Sequence, residues 1–185
     1  MKSQNQVVLS LGTNQGNRLR NIEKCIELIH QEVGTVIKIS KLYETPSWGF
    51  KSDAFYNCAL VLHTFLSAHK ILEQILDIER RLGRVRGDTL EYQSRSIDID
   101  LIAFDEEIIE TQELQIPHPL MQNRKFVLLP MMDLNLNWMH PILHKKIAEL
   151  VEISPDESSC TFVQNLKNPL DSIPLDQFNY IAFEG

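Results

Sequence analysis

Two aspartates separated by one residue, Asp98 and Asp100, are the side chains of this sequence best suited to chemistry. In a β-strand they project from one face, while their apolar neighbours project from the other. Adjacent carboxylates repel each other and resist burial unless a cation neutralises them. Mg²⁺ is commonly held by one or two carboxylates with phosphates or waters, and Arg95, just before this strand, could meet such a phosphate. The stretch therefore predicts a Mg²⁺–polyphosphate site, although a solvated strand face would show the same spacing.

Two basic groups elsewhere in the sequence could also contact a polyphosphate. Arg84 and Arg86 follow a predicted helix, and their guanidinium forks would match phosphate oxygens if the chain is extended there. The same pair could instead complement the negative end of the helix dipole. His118 lies between two prolines, and the following proline favours an extended backbone at His118, with Arg124 close behind. Such rigid placement suits a ligand contact and equally suits a structural turn.

A third group of side chains suits a planar ring. Phe55 and Phe126 could stack on its two faces, and Asn57 carries both donors and acceptors for its edge. Gly49 permits close approach of the backbone. Taken alone, these aromatics would more often belong to a hydrophobic core. Combined with the carboxylates and cations, they predict transfer of a phosphoryl-type group from a nucleotide, where catalysis is mostly positioning and charge neutralisation.

The common NTP-binding folds are excluded by the motifs that the sequence lacks. It contains no GxxxxGK[ST] loop and no protein-kinase signature.

The elements that must position these groups alternate along the chain. Apolar runs and alternation predict four strands, at Val7–Leu11, Val36–Tyr43, Phe55–Thr64 and Ile97–Phe104. Helical spacing predicts one helix that ends at Gly34 and a second that starts near Ser67 and ends at Gly83. This order predicts an α+β fold, a ferredoxin-like β-α-β-β-α-β antiparallel sheet with the helices on one face plus C-terminal additions. Asp98 and Asp100 would then lie on the opposite, uncovered face.

The second half of the chain predicts smaller elements. They are a hairpin around Ile109 and Ile116, short helices at 123–132 and 145–151, and one strand at 161–164. We expect one domain over residues 1–153 and a C-terminal extension over residues 154–185 that packs on this domain or trails from it.

Composition and charge narrow the class of protein. The net charge of −7 over 185 residues argues against general nucleic-acid binding, which needs a basic face. No segment approaches membrane-spanning length or has the pattern of a signal peptide. Cys25, Cys58 and Cys160 form no CxxC pair, so we expect reduced thiols and neither a zinc site nor a disulfide framework. These features predict a cytoplasmic protein with no nucleic-acid or membrane partner. We further expect a monomer whose partners are small molecules.

Four segments match one known pattern in order along the chain. They are Gly12-Thr13-Asn14, Glu79-x-x-x-Gly83-Arg84-Val85-Arg86, Arg95-Ser96-Ile97-Asp98-Ile99-Asp100 and Ile116-Pro117-His118-(x)₄-Asn123-Arg124-x-Phe126. Together they resemble the 6-hydroxymethyl-7,8-dihydropterin pyrophosphokinases of folate biosynthesis, from about Val7 to about Pro141. The resemblance implies the ferredoxin-like fold and transfer of the β,γ-pyrophosphoryl group of ATP to the pterin hydroxymethyl group. It also implies release of AMP and two bound Mg²⁺ ions.

The resemblance further implies a role for each matched residue. Asp98 and Asp100 would hold both metal ions, and Arg84 and Arg95 would neutralise the transferring phosphates. The residues that would bind ATP are Glu79, Arg86, His118 and Arg124. The residues that would bind the pterin are Thr45, Pro46, Gly49, Phe55, Asn57 and Phe126.

Three positions depart from the usual pattern of this family. Gln93 stands where glycine or alanine is common, Tyr92 where some members have tryptophan, and Trp48 where a smaller aliphatic residue is frequent. They bear on how loops close over the site and leave the expected reaction unchanged.

Two alternatives remain open from the sequence. One is a non-catalytic ferredoxin-like ligand-binding module, and the other is a different Mg²⁺-dependent nucleotidyl- or phosphotransferase. The released nucleotide separates the enzymes, because AMP marks pyrophosphoryl transfer whereas ADP or pyrophosphate marks the others.

Overall fold

The computed structural model of the protein describes residues 3–47, 52–83 and 96–172. Several sequence predictions therefore fall outside the described residues. They are those for Gly49, Arg84, Arg86 and Arg95, and those for the departures at Trp48, Tyr92 and Gln93.

An antiparallel sheet organises the described residues. The strands are β1 (Asn5–Thr13), β2 (Thr35–Ile39), β3 (Leu42–Thr45), β4 (Phe55–Thr64), β5 (Asp98–Phe104), β6 (Ile109–Glu110), β7 (Gln115–Ile116) and β8 (Thr161–Gln164). The helices are α1 (Arg18–Glu32), α2 (Ala68–Arg81), α3 (Lys125–Asp133) and α4 (Ile147–Ile153). The sheet order is β5-β1-β4-β3-β8, with β2 also paired to β4, while β6 and β7 form a separate hairpin. The protein is thus α+β, as expected.

Local sequence signals explain where the first two helices begin and end. Asn17 and Ser67 are N-caps whose side chains accept backbone N–H groups of the first turn. Past the end of α1, a Cβ on Gly34 would lie 2.5 Å from the carbonyl oxygen of His63, so only glycine fits. Gly83 follows α2 with a φ of +89°, a conformation that favours glycine. Both predicted helices are confirmed.

The prediction of one strand over Val36–Tyr43 is wrong, because this segment forms the two strands β2 and β3. The break lies at Ser40, whose Oγ accepts the N–H of Ala59 at 2.8 Å. The register with β4 also changes across the break, since Ile39 faces Leu60 whereas Tyr43 faces Asn57. One extra residue is thereby absorbed as a bulge. The predicted strand Phe55–Thr64 is confirmed over its whole length.

Each face of the sheet carries its own hydrophobic core. On one face, α1 and α2 pack over residues such as Leu9, Leu60 and Ile99. On the opposite face, α3 and α4 pack over residues such as Val8 and Val61. The expectation of an uncovered second face is therefore wrong for the half of the sheet beneath α3. The reason is that α3 is itself apolar and packs against an apolar patch on this half of the sheet.

A bulge in β5 supplies part of that second patch. The register with β1 shifts between the pairs Leu9–Leu101 and Val8–Ala103, leaving Ile102 as the extra residue. Ile102 and Ala103 both pack in the second core, whereas strict alternation would place one of them in the first core. The other end of the strand, with Asp98 and Asp100, keeps its alternation.

The chain after α4 returns to the sheet. β8 pairs with β3, which confirms the predicted strand at 161–164, and Val163 and Leu166 pack against the first core. Cys25, Cys58 and Cys160 are all unpaired thiols, as expected, and burial raises the pKa of Cys25 and Cys58. Among the described residues, no helix is long and apolar enough to cross a bilayer.

Candidate active site

Polar residues occupy the half of the second sheet face that adjoins α3. In the strand register, Gly12 of β1 lies between Asn57 of β4 and Asp98 of β5. Two residues earlier on β1, Ser10 pairs with Asp100 of β5 in the same way. Directly paired residues of an antiparallel sheet project to the same face. The sheet therefore presents an amide and two carboxylates together, separated by the small residues of β1.

The amide of Asn57 is fixed by its neighbours. Asn57 is 3% exposed, and its Nδ2 donates to Thr45 Oγ1 at 2.8 Å. Phe55 pairs with Thr45, so it projects to the same face as Asn57. A Cβ on Gly12 would lie 3.0 Å from Asn57 Oδ1, which is tight contact. Because Gly12 has no side chain, the amide of Asn57 has room beside β1.

The start of α3 brings a cation and an aromatic ring to the carboxylates. Arg124 is 6% exposed, and its Nη1 lies 3.9 Å from Asp100 Oδ2. Its guanidinium carbon lies 5.7 Å from the ring centre of Phe126. Arg124 and Phe126 therefore lie at the carboxylate edge of the site, on the helix that covers the other half of the face.

His118 joins this cluster through the backbone of β5. Its N–H donates to the carbonyl oxygen of Ile102 at 2.9 Å. Burial, together with the nearby charge of Arg124, lowers the pKa of His118 to about 4, against an opposing effect of Asp98. Since Nδ1 accepts the N–H of Leu120 at 3.2 Å, the neutral ring carries its proton on Nε2. His118 is thus a neutral hydrogen-bond donor at neutral pH.

Glu79 reaches β5 from the opposite side of the sheet. It lies on α2, is 1% exposed, and its Oε1 accepts the N–H of Ile99 at 2.7 Å. Ile99 separates Asp98 from Asp100, so this bond fixes the backbone that carries both carboxylates. A buried carboxylate is held in place by such hydrogen bonds.

Arg18 and Asn14 brace the segment between β3 and β4, and neither had a role assigned from the sequence, although Asn14 belongs to the first matched segment. Arg18 Nη1 lies 2.9 Å from Glu44 Oε2 and donates to the carbonyl oxygen of Ala54 at 2.7 Å. Asn14 Nδ2 donates to Ser52 Oγ at 3.1 Å. These contacts tie the two ends of the segment that follows Thr45. No local pattern marks Arg18 for this role, because both partners are distant in sequence.

The two aspartates have the chemistry of a magnesium site. Both are partly exposed carboxylates, and the β1 residues beside them are small, which leaves room for an ion and its other ligands. Within the described ranges, no cluster of three or more His, Cys, Asp or Glu side chains could hold a metal alone. Mg²⁺ typically keeps waters or substrate phosphates in its remaining positions, so two carboxylates suffice.

The structure gathers most of the predicted site residues that it describes. Those on the shared face or at its edge are Thr45, Phe55, Asn57, Asp98, Asp100, His118, Arg124 and Phe126. Pro46 is exposed directly after Thr45. Glu79 differs, because its carboxylate contacts the β5 backbone from the other side.

Comparison with known proteins bears on this arrangement. The family model of 7,8-dihydro-6-hydroxymethylpterin-pyrophosphokinase matches residues 8–136. The chain belongs to this pyrophosphokinase family. The match includes every element that carries a gathered site residue, and it ends before α4.

Several individual relatives of the pyrophosphokinase family resemble the chain. The 2-amino-4-hydroxy-6-hydroxymethyldihydropteridine pyrophosphokinase of Aquifex aeolicus is 35% identical over 144 residues, 77% of this chain and 88% of that protein. The enzyme of the same name from Bacillus subtilis is 37% identical over 132 residues, 70% and 78% of the two chains. A folic acid synthesis protein of Dictyostelium discoideum is 40% identical over 141 residues, 76% of this chain but 21% of that protein. The chain thus spans about a fifth of that last relative.

Solved structures share the fold of this pyrophosphokinase chain. Wild-type Plasmodium falciparum HPPK-DHPS with pteroate matches it with a TM-score of 0.68 at 18% identity. The match covers 82% of this chain and 45% of the Plasmodium chain. The present chain therefore corresponds to less than half of that protein.

Proposed function

We infer that this protein transfers the pyrophosphoryl group of ATP to 6-hydroxymethyl-7,8-dihydropterin in folate biosynthesis, giving AMP and the pterin diphosphate. Membership of the pyrophosphokinase family supports the reaction. One structural observation supports the assignment of this reaction to particular residues. Asn57, Gly12 and Asp98 lie side by side on three neighbouring strands. A group that can recognise a heterocycle edge therefore faces the same space as a carboxylate suited to Mg²⁺.

The pterin lies, in this proposal, over the β4 side of the site. Asn57 recognises the edge of the ring, and Phe55 and Phe126 stack on its faces. Backbone groups of Thr45, Pro46 and Gly49 complete the contacts. The hydrogen bond between Asn57 and Thr45 supports this assignment, because it holds the amide in one orientation before the ring arrives.

ATP lies on the β5 side. His118 donates its Nε2 proton to a phosphate oxygen, and Arg124 adds a fixed positive charge beside Asp100. The sequence resemblance assigns further ATP contacts to Glu79 and Arg86, and assigns phosphate neutralisation to Arg84 and Arg95. We propose that Glu79 also holds strand β5 in place, because its carboxylate accepts the backbone N–H of Ile99.

Asp98 and Asp100 would hold two Mg²⁺ ions. Bound there, such ions neutralise the phosphate charge and polarise the phosphorus that is attacked. The pterin hydroxyl oxygen forms a bond to the β-phosphorus and loses its proton to solvent, while the bond from this phosphorus to the oxygen bridging to the α-phosphate breaks, so AMP leaves with that oxygen. The protein's own groups supply alignment and fixed charge, which is the main demand of such transfers.

The finer architecture belongs to the same proposal. The strand order β5-β1-β4-β3, with α1 and α2 on one face, supports the ferredoxin-like arrangement. We propose that residues 1–153 form the pyrophosphokinase domain and that residues 154–185 are an extension of it. A monomeric state and a cytoplasmic location stay predictions.

Substitution of the aspartates tests the proposal. We expect Asp98→Ala and Asp100→Ala to lower turnover by more than about a hundredfold, because phosphate charge would be left without its metal ions. Both side chains are partly exposed, so the thermal unfolding midpoint should change little. The control is Glu106→Ala, which removes an exposed acid just after β5 and should leave turnover at the wild-type level.

The outcome also separates the alternative. Wild-type turnover in both aspartate variants would contradict the assigned site. A wild-type protein that binds both ligands without turnover would instead identify a non-catalytic binding module.

A further inference from the structure

The chain beyond the family match returns to β3 and α3, two of the elements that carry the proposed pterin contacts. Residues 8–136 match the family, whereas β8 and the segment before it follow α4. β8 pairs with β3, so that Glu44 faces Thr161 next to Thr45. The segment before β8 contacts the start of α3.

The start of α3 is capped from a distance. Its own N-cap, Arg124, makes no side-chain capping hydrogen bond. The N–H of Lys125 donates instead to Asp156 Oδ2 at 2.8 Å, across 31 positions of sequence. Asp156 is 9% exposed, and its Oδ1 accepts the N–H of Ser158 at 2.9 Å. A carboxylate at this position also complements the positive end of the helix dipole.

The carboxylate of Asp156 is ionised at neutral pH. Burial acts to raise its pKa, but hydrogen bonds from Ser158 and Lys125 and the charge of Lys125 outweigh burial and lower the pKa. The cap is therefore a charged one, which is the stronger kind.

The capped residue lies between two site residues. Lys125 separates Arg124, whose Nη1 lies 3.9 Å from Asp100 Oδ2, from Phe126. The carbonyl oxygen of Arg124 accepts the N–H groups of Val127 and Leu128, both at 3.0 Å. A shift of the first turn of α3 would therefore move the guanidinium and the aromatic ring together.

We propose that Asp156 is a positioning residue of the active site, holding the first turn of α3 so that Phe126 and Arg124 face the substrates. This role rests on the proposed function, specifically on the contact of Phe126 with the pterin. It assigns a task to the extension, since Asp156 lies outside the residues that match the family.

Steady-state kinetics of Asp156→Ala, Phe126→Ala and the double variant test the proposal. We expect D156A to raise KM for the pterin about five- to tenfold, the scale of a lost helix cap, with a smaller change in kcat. D156N keeps one acceptor oxygen for Lys125 and should raise this KM about threefold. The matched control is Asp171→Ala, which removes an exposed aspartate of the same extension and should leave every constant unchanged.

The double variant separates positioning from a general loss of stability. Once Phe126 is absent, its misplacement costs nothing, so D156A should raise the pterin KM less in the F126A background than in the wild type. A residue that merely stabilises the fold would lower the unfolding midpoint and leave KM unchanged at 25 °C. Independent effects of the two substitutions on KM would overturn the proposal.

The remaining outcomes distinguish the two levels of inference. If F126A raises the pterin KM and D156A does not, the site stands and the positioning role is wrong. If F126A leaves the pterin KM unchanged, the proposed contact of Phe126 with the pterin is wrong, and the positioning role that rests on this contact is wrong with it. Should D156A not fold, the same comparison with D156N decides, and an unchanged pterin KM in that variant overturns the role.

Discussion

The imidazole of His118 shows how much of a residue's chemistry depends on its surroundings. The sequence places this histidine between two prolines and predicts a rigid contact, and the structure places it near Arg124 and Asp98. Its protonation state could not be predicted, because burial and the charge of Arg124 come from segments that meet only in the fold. The pair Asp98 and Asp100 was predictable, since strand alternation alone puts both on one face.

His118 should make the stability of the metal-free protein depend on pH. Its pKa in the folded protein, about 4, lies below the ordinary value of 6.5, so the unfolded chain binds more protons between these values. Stability is therefore complete above pH 6.5 and is lost as pH falls towards 4. Because the ring is partly exposed, we expect a loss of about 1–2 kcal/mol over this window.

Urea unfolding of the wild type and His118→Asn at several pH values would measure this effect. Asparagine can accept the N–H of Leu120 but does not titrate, so the variant should lose less stability between pH 6.5 and 4. The slope should not vanish, because burial also lowers the pKa of His140. Equal slopes for both proteins would contradict the assignment.

At the scale of elements, local signals predicted the helices and missed the contacts between distant segments. The helix ends near Gly34 and Gly83, the helix start at Ser67 and the strand Phe55–Thr64 depend on neighbouring residues and are correct. The break at Ser40 depends on its bond to Ala59 in another strand, so no local pattern revealed it. The same holds for the cover that α3 provides and for the cap that Asp156 provides.

Arg18 offers a test at this scale, because it joins α1 to both ends of the segment that follows Thr45. Arg18→Ala removes its contacts with Glu44 and Ala54 and its stacking 3.8 Å from the ring centre of Tyr56. We expect KM for the pterin to rise roughly five- to tenfold, since charged hydrogen bonds contribute about 1–3 kcal/mol and the segment must then be ordered on binding.

Matched kinetics identify the origin of this change. KM for ATP should stay within about twofold of the wild type, because the contacts of Arg18 are with the ends of the segment between β3 and β4, which carries proposed pterin contacts. The exposed Arg20, on the same turn of α1, provides the control as Arg20→Ala. A rise of both KM values, or the same change in Arg20→Ala, would show that Arg18 does not brace the pterin segment.

At the scale of the whole molecule, the two faces of the sheet differ in what they carry. In the part of the chain that the structure describes, the first core, under α1 and α2, spans the sheet, whereas the second core covers half of the other face. The polar half that remains carries Asn57, Asp98 and Asp100 on adjoining strands. The sequence could predict the order of these elements, but not that an apolar helix would cover the neighbouring half and bring Arg124 and Phe126 to its edge.

The nucleotide released during turnover tests the central claim most directly. Purified protein would be mixed with ATP, Mg²⁺ and 6-hydroxymethyl-7,8-dihydropterin, and the nucleotides separated by chromatography over time. We predict AMP in equal amount to pterin diphosphate, and none when the pterin or Mg²⁺ is omitted. Release of ADP with a pterin monophosphate, or no pterin-dependent consumption of ATP by the folded protein, would contradict the assignment as a pyrophosphokinase.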